Sequence, residues 1–127
     1  MASIMDMLLA ADPRKLKERP TARMKMKRLE KLLGGDCEFE IEALTASELD
    51  ELRSVPKEHM IVRAVTNVDF GDAQLCSVLR PEGRNTPLLP TETVEKLLLP
   101  GEIDQLYTAI LKLSGYGDDA VEKIEKN

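Results

Sequence analysis

The sequence predicts a mainly α-helical fold of the α+β class: a compact bundle of about five short helices with a small N-terminal β-hairpin. The strongest indication is residues 91–117, where apolar side chains recur at helical spacing on both sides of Pro100 and Gly101. A second is the polar–apolar alternation of residues 38–43, which is typical of a half-buried strand. A third is Thr45 followed by Glu48, a pair that marks a helix start.

The composition limits the class of protein. With 127 residues, 43% hydrophobic and 32% charged, the chain suits one folded domain. It has no tryptophan, two tyrosines and two phenylalanines, so we expect an aliphatic core. No apolar run approaches the roughly 20 residues of a membrane span. The start of the chain lacks the basic segment of a signal peptide. We therefore expect no membrane association.

The sequence shows no catalytic or metal-binding motif. Its one histidine, His59, lies near no cysteine cluster, and Cys37 and Cys76 are isolated residues that we expect to be reduced. No serine lies in a GxSxG elbow. We therefore expect a protein that is not an enzyme and that needs no cofactor and no metal.

Charge is distributed unevenly along the chain. Nine of the eighteen basic residues lie in residues 14–31, and eight acidic residues follow in residues 36–58, while the net charge is −5. The two segments either pair with each other or steer a partner. Because the chain is acidic overall and no aromatic residue is interleaved with the lysines, we do not expect nucleic-acid binding.

The first 20 residues are predicted to form a short helix and a basic connector, separate from a single globular domain over residues 21–127. Residues 3–11 place Ile4, Met5, Leu8 and Leu9 on one side of the helix, which is too short to be stable alone and is either docked or mobile. The connector after Asp12 and Pro13 is expected to be extended or irregular.

A β-hairpin is predicted over about residues 23–44. Met24 and Met26 alternate with lysines, and glycines 34 and 35 supply a turn before the second strand. Lys25 and Lys27 would then face the glutamates of that strand. A helix over residues 21–33 is the competing interpretation, because three leucines there also have helical spacing. Self-association through the hairpin edge stays open.

The helical part of the domain follows the capping box of Thr45 and Glu48. Pro56 can begin a further helix, Pro100 separates the last two long ones, and Asp119 with Glu122 can cap a terminal one. The predicted helices cover about residues 46–53, 57–68, 72–79, 91–99, 101–113 and 118–125.

Five apolar residues near the N-terminus are candidates for partner contact, because methionine is flexible and suits a tolerant surface. They are Met5, Leu8, Leu9, Met24 and Met26. The alternative is that the methionines fill the core in the ordinary way.

Six short segments, in order, carry a resemblance to a known family. They are residues 8–12 (LLAAD), 19–21 (RPT), 39–45 (FEIEALT), 98–103 (LLPGEI), 106–107 (LY) and 113–117 (LSGYG). With them, the chain resembles the XkdN-like tail assembly chaperones of contractile-tailed phages and phage-tail-like particles of Gram-positive bacteria. Residues 55–90 are the least similar part.

The resemblance implies a non-enzymatic assembly factor in the host bacterial cytoplasm. Such proteins bind the long apolar tape measure protein, keep it soluble, and assist assembly of the tail tube protein. They are expected to be absent from the mature tail. The alternative is a structural tail or baseplate adaptor that remains in the particle.

Overall fold

The computed structural model describes residues 3–117 and 119–124. Within them, helices dominate and two strands form one small sheet, as the sequence predicts. In chain order the elements are α1 (Ile4–Ala10), α2 (Pro13–Lys17), β1 (Thr21–Lys25), α3 (Lys27–Leu33), β2 (Glu38–Glu42), α4 (Ala46–Leu52), α5 (Lys57–Ala64), α6 (Ala73–Leu79), α7 (Pro90–Leu97) and α8 (Pro100–Leu111), which continues into a wide turn over Lys112–Tyr116.

The two strands are antiparallel, as the predicted hairpin requires, but their connection is longer than a tight turn. Thr21 pairs with Glu42 and Lys25 with Glu38, and helix α3 rather than a tight turn connects them. Both interpretations of residues 21–33 are therefore partly right. Strand β1 ends at Lys25, and α3 then buries Leu29 in the core and is capped by Gly34, whose φ of 72° suits glycine.

The predicted lysine–glutamate pairing across the sheet also needs correction. Lys25 lies opposite Glu38 in the register, but its ammonium lies 3.4 Å from Glu30 on α3. Glu38 instead pairs with Arg23, at 3.6 Å. Lys27 is already helical and has left the sheet. The cause is the turn into α3, which carries Glu30 back toward β1.

Helix α4 begins as predicted. Thr45 Oγ1 accepts a hydrogen bond from the backbone N–H of Glu48 at 3.2 Å, and Glu48 Oε1 accepts one from the backbone N–H of Thr45 at 2.9 Å. The same carboxylate lies 2.8 Å from Arg19 and 3.3 Å from Arg63. The capping box thereby also ties the connector to α5.

Helix α5 ends at Ala64, so the predicted extension to residue 68 is wrong. Val65 is extended and forms a bridge with Ile41, and the backbone N–H of Thr66 donates to Glu40 O at 2.8 Å. Asn67 continues this contact, since its side chain accepts from Glu40 N and donates to Glu38 O, both at 2.9 Å. Residues 65–67 thus cover the outer edge of β2.

Three helices begin with proline, and two of them, α7 and α8, are capped by a glutamate two residues later. Glu92 accepts from the N–H of Leu89 at 2.9 Å at the start of α7, and Glu102 accepts from the N–H of Leu99 at 2.7 Å at the start of α8. The predicted break at Pro100 is correct. Because proline suits the first helical turn, α8 starts with no long loop.

Two predictions about the ends of the chain are wrong. Residues 119–124, the described part of the predicted last helix, are not helical. The connector after Asp12 is not wholly extended either, because its first residues form α2. Asp12 caps that turn by accepting from the backbone N–H of Arg14 at 2.9 Å, with Pro13 in the first helical position.

The core is aliphatic, as expected from the composition. Ile41, Ile61, Val94 and Ile110 are fully buried, and they bring together β2, α5, α7 and α8. The two phenylalanines, Phe39 and Phe70, meet edge to face with ring centroids 6.1 Å apart. The core therefore lies between the sheet and helices α5, α7 and α8.

Candidate partner-binding surface

Helix α1 exposes large apolar side chains along its whole length. Its exposed fractions are 61% for Met5, 47% for Leu8 and 74% for Leu9. Ile4 and Met7 are also exposed, and no residue of α1 is buried. Apolar surface of this kind usually marks an interaction site.

A capping box stabilises the start of α1. Ser3 Oγ accepts a hydrogen bond from the N–H of Asp6 at 3.1 Å, and Asp6 accepts one from the N–H of Ser3 at 3.3 Å. A helix of seven residues is normally marginal in water, and such a capping box offsets part of the nucleation cost. The sequence thus specifies a helix here, but no residue of α1 is buried against the rest of the described chain.

A groove between β1 and α8 forms a second apolar surface, which we call the β1/α8 groove. Half-buried Met24 lies at its middle and borders both of its cavities, of about 520 Å³ and about 290 Å³. The larger cavity is mostly aliphatic, whereas four charged side chains also line the smaller one. The larger cavity is lined chiefly by Ala22, Met24, Ile41, Ala109, Lys112 and Leu113, and the smaller one by Met24, Lys25, Met26, Lys27, Arg28, Glu102, Gln105 and Leu106.

The structure does not bring the five candidate residues together. Met5, Leu8 and Leu9 lie on α1, and Met24 lies in the groove. Met26 is only 5% exposed and belongs to the core, although it borders the smaller cavity. Ile4 and Met7 on α1 are additional exposed residues, and their spacing of three along a helix is the signal that points to them.

An ion pair positions one end of the groove. Arg28 on α3 lies 2.8 Å from Glu102 at the start of α8, and its guanidinium also donates to Leu97 O at 2.7 Å. Partial burial raises the pKa of Glu102, but Arg28 and the backbone N–H of Leu99 outweigh it and leave that pKa below its ordinary value. The carboxylate therefore stays ionised, and β1 is held beside α8 through α3.

Ser114 positions the other end of the β1/α8 groove. Its hydroxyl donates to Ile110 O at 2.7 Å and accepts from the N–H of Leu44 at 2.9 Å. Gly115 follows with a φ of 100°, a backbone conformation that residues other than glycine rarely adopt. The end of α8 is thereby fastened to the segment after β2.

A cleft of about 460 Å³ lies between α5, α7 and α8, but its lining is different. Lys57, Glu58, Glu95 and Asp104 contribute charged groups, and Lys57 Nζ lies 3.0 Å from Asp104. A cleft closed by an ion pair and lined by four charged residues suits an apolar helix less well than the larger, mostly aliphatic cavity of the β1/α8 groove does.

The described residues offer little scope for metal chemistry. Across residues 3–117 and 119–124, no three His, Cys, Asp or Glu side chains are arranged to hold a metal ion.

The longest helix in the described part of the chain, α8, has twelve residues, and no helix there has the length and hydropathy of a transmembrane span. Cys37 is half-buried, and burial followed by the nearby charge of Glu30 raises the pKa of its thiol.

Comparison with known proteins identifies one family. A model of the phage XkdN-like tail assembly chaperone proteins matches residues 56–127, which include α5 to α8. The match contains the resembling segments at 98–103, 106–107 and 113–117. It also contains all but the first residue of 55–90, the part of the sequence that resembled the family least. The resembling segments at 8–12, 19–21 and 39–45 lie outside it. No curated protein and no solved structure matches the chain. Because the match covers more than half of its length, the chain belongs to the phage XkdN-like tail assembly chaperone family.

Proposed function

We propose that this chaperone binds the tape measure protein of the phage tail through α1 and the β1/α8 groove, and keeps it soluble until the tail tube protein assembles around it. The family implies a non-enzymatic role in tail assembly. The observation that carries the proposal is α1, a capped helix with five exposed large apolar side chains.

A long apolar helical protein needs a partner that covers its apolar face before assembly. Recognition of a helix usually uses apolar anchors spaced three or four residues apart, which insert into a groove. Helix α1 has such spacing from Ile4 to Leu8, and the β1/α8 groove offers Met24 on an aliphatic floor. Methionine adapts to many partner shapes, which suits a chaperone for a long and varied chain.

The location and timing of the proposed activity follow from the same role. The chaperone acts in the host bacterial cytoplasm, binds both the tape measure protein and the tail tube protein during assembly, and leaves before the tail is finished. Mass spectrometry of purified tails tests this. Abundant peptides of this chain in mature particles would instead identify a structural tail or baseplate adaptor.

Co-expression with the tape measure protein tests the binding surface. We expect the double variant Leu8→Glu with Leu9→Glu to lower the yield of soluble tape measure protein and to weaken its co-purification. Burying a leucine contributes about 1.5–3 kcal/mol, so losing two corresponds to more than about a hundredfold in affinity. The variant should fold normally, because neither residue is buried.

A matched control comes from α3. Leu32 and Leu33 are also adjacent, and are 69% and 71% exposed. The double variant Leu32→Glu with Leu33→Glu introduces the same charges at another apolar site and should leave binding unchanged. If the tape measure protein is equally soluble with wild-type chain, with either variant and with no chaperone at all, the proposed function is wrong. If both variants weaken co-purification of the tape measure protein equally, α1 is not the binding surface.

A further inference from the structure

Strand β1 has one paired edge and one open edge. Two hydrogen bonds at the ends of the strand pair, from Ala43 N to Pro20 O and from Met26 N to Cys37 O, are each 2.9 Å long. They show which residues of β1 direct their backbone groups toward β2. In an antiparallel pair every second residue directs its backbone groups toward the partner strand, and the residues between direct theirs away. The outward-facing residues of β1 are Thr21, Arg23 and Lys25.

The other edge of the sheet is covered. Residues 65–67 lie along the outer side of β2, where Thr66 and Asn67 satisfy the backbone groups of Glu40. Within residues 3–117 and 119–124, no equivalent segment covers the outer side of β1. An uncovered strand edge is a ready template for a strand from another chain.

The two faces beside this edge differ in chemistry. On one face, Arg23 and Lys25 are 70% and 63% exposed, although each also lies near a glutamate of this chain. On the other face, Ala22 and Met24 lie over the β1/α8 groove. A strand added here would place alternate side chains beside two cations and in an aliphatic groove.

A second copy of this chain fits the edge poorly. Two β1 strands paired about Arg23 would set that residue opposite its counterpart and Lys25 opposite Thr21. A shift of two residues in one direction brings Lys25 opposite Arg23, and a shift of two in the other direction brings Lys25 opposite Arg19. Like charges directly opposite each other on a sheet are destabilising. The occupant should therefore carry acidic residues where β1 carries cations.

We infer that the open edge of β1 binds an extended segment of another protein in which acidic and apolar residues alternate. The acidic side chains would pair with Arg23 and Lys25, and the apolar ones would enter the groove beside Met24. Strand β2, with the sequence EFEIE, has this pattern and already pairs with β1 along its inner edge. The inference concerns strand addition and stands without the tape measure protein, although a bound strand would share the groove beside Met24 with the helix proposed above.

The test uses the unaltered full chain and an acetylated, amidated peptide that copies residues 38–43. Amide hydrogen exchange is measured by NMR with and without the peptide. We expect exchange at Thr21, Arg23 and Lys25 to slow at least about tenfold, since these amides gain hydrogen bonds, while the already paired amides of Ala22 and Met24 change little. Protection gained only at those inner amides would indicate displacement of β2 and would overturn the inference.

Two matched peptides separate backbone pairing from charge. A version N-methylated at alternate residues cannot donate along one edge, and a version with lysine for each glutamate opposes the cations. Both should bind at least about tenfold more weakly by calorimetry, and the lysine peptide should recover affinity for the variant Arg23→Glu with Lys25→Glu. Equal binding of all three peptides overturns the inference, and so does a concentration-dependent dimer of the free chain that protects the amide of Arg23.

Discussion

Arg84 forms a two-point ion pair with Glu92, with Nη2 2.9 Å from Oε1, and so fastens the loop before α7 to the first turn of that helix. The guanidinium also donates to Pro87 O at 3.1 Å, and Glu92 accepts from the N–H of Leu89. One carboxylate thereby caps the helix and holds the loop. Hydrogen bonding to Arg84, followed by that to Leu89, lowers the pKa of Glu92 to about 2.

This pair predicts a specific acid sensitivity. The pKa of Glu92 is lower in the folded chain than its ordinary value of 4.5, so its ionised form stabilises the fold above that value. The contribution is lost as the pH falls from about 4.5 to about 2. We expect wild type to be more stable than Glu92→Gln at pH 7, and the gap to close over this range. Urea unfolding at several pH values measures it, and a gap independent of pH would contradict the assignment.

The capping box at α4 predicts the effect of removing one hydroxyl. Thr45→Ala leaves the N–H of Glu48 without its side-chain acceptor, and we expect a loss of about 1 kcal/mol in the free energy of unfolding. Thr45→Ser keeps the acceptor and should lose much less. Chemical denaturation of the three proteins tests this, and equal losses in both variants would show that the methyl group matters rather than the cap.

Features determined by a few neighbouring residues were predictable from the sequence. Thr45 with Glu48 marks the start of α4, and Pro100 marks the start of α8, because caps and proline act through their own backbone. The alternation in β2 indicated Phe39 and Ile41 as the buried face, and both are buried.

Features that depend on contacts between distant parts of the chain could not be predicted from the sequence. The helical pattern of α5 continues to Val68, but the uncovered edge of β2 draws residues 65–67 into extended pairing. The same limit applies to the candidate surface. The apolar spacing in α1 is what a buried helix also shows, and only the folded structure reveals that Leu9 is exposed while Met26 is in the core.

Gly34 predicts a backbone effect. It ends α3 with a φ of 72°, and a Cβ there would meet no atom within 4 Å. The cost of Gly34→Ala is therefore conformational and should be about 1–2 kcal/mol of stability. Gly35→Ala is the control, since Gly35 has a negative φ and equally open surroundings. Thermal unfolding of both variants measures the difference, and equal melting temperatures would contradict it.

The last prediction concerns Asn67, whose side chain forms hydrogen bonds with the backbone at the outer edge of β2, as a neighbouring strand would. It accepts from Glu40 N and donates to Glu38 O, so Asn67→Ala removes two hydrogen bonds worth about 0.5–1.5 kcal/mol each. Because the site is exposed, water replaces part of them, and we expect a loss of about 1 kcal/mol with faster exchange at the amide of Glu40. Asn85→Ala is the control, since the described structure shows no hydrogen bond from that exposed side chain. If exchange at Glu40 does not change in Asn67→Ala, the asparagine does not protect this edge, and the bridge between Ile41 and Val65 with the bond from Thr66 must do so alone.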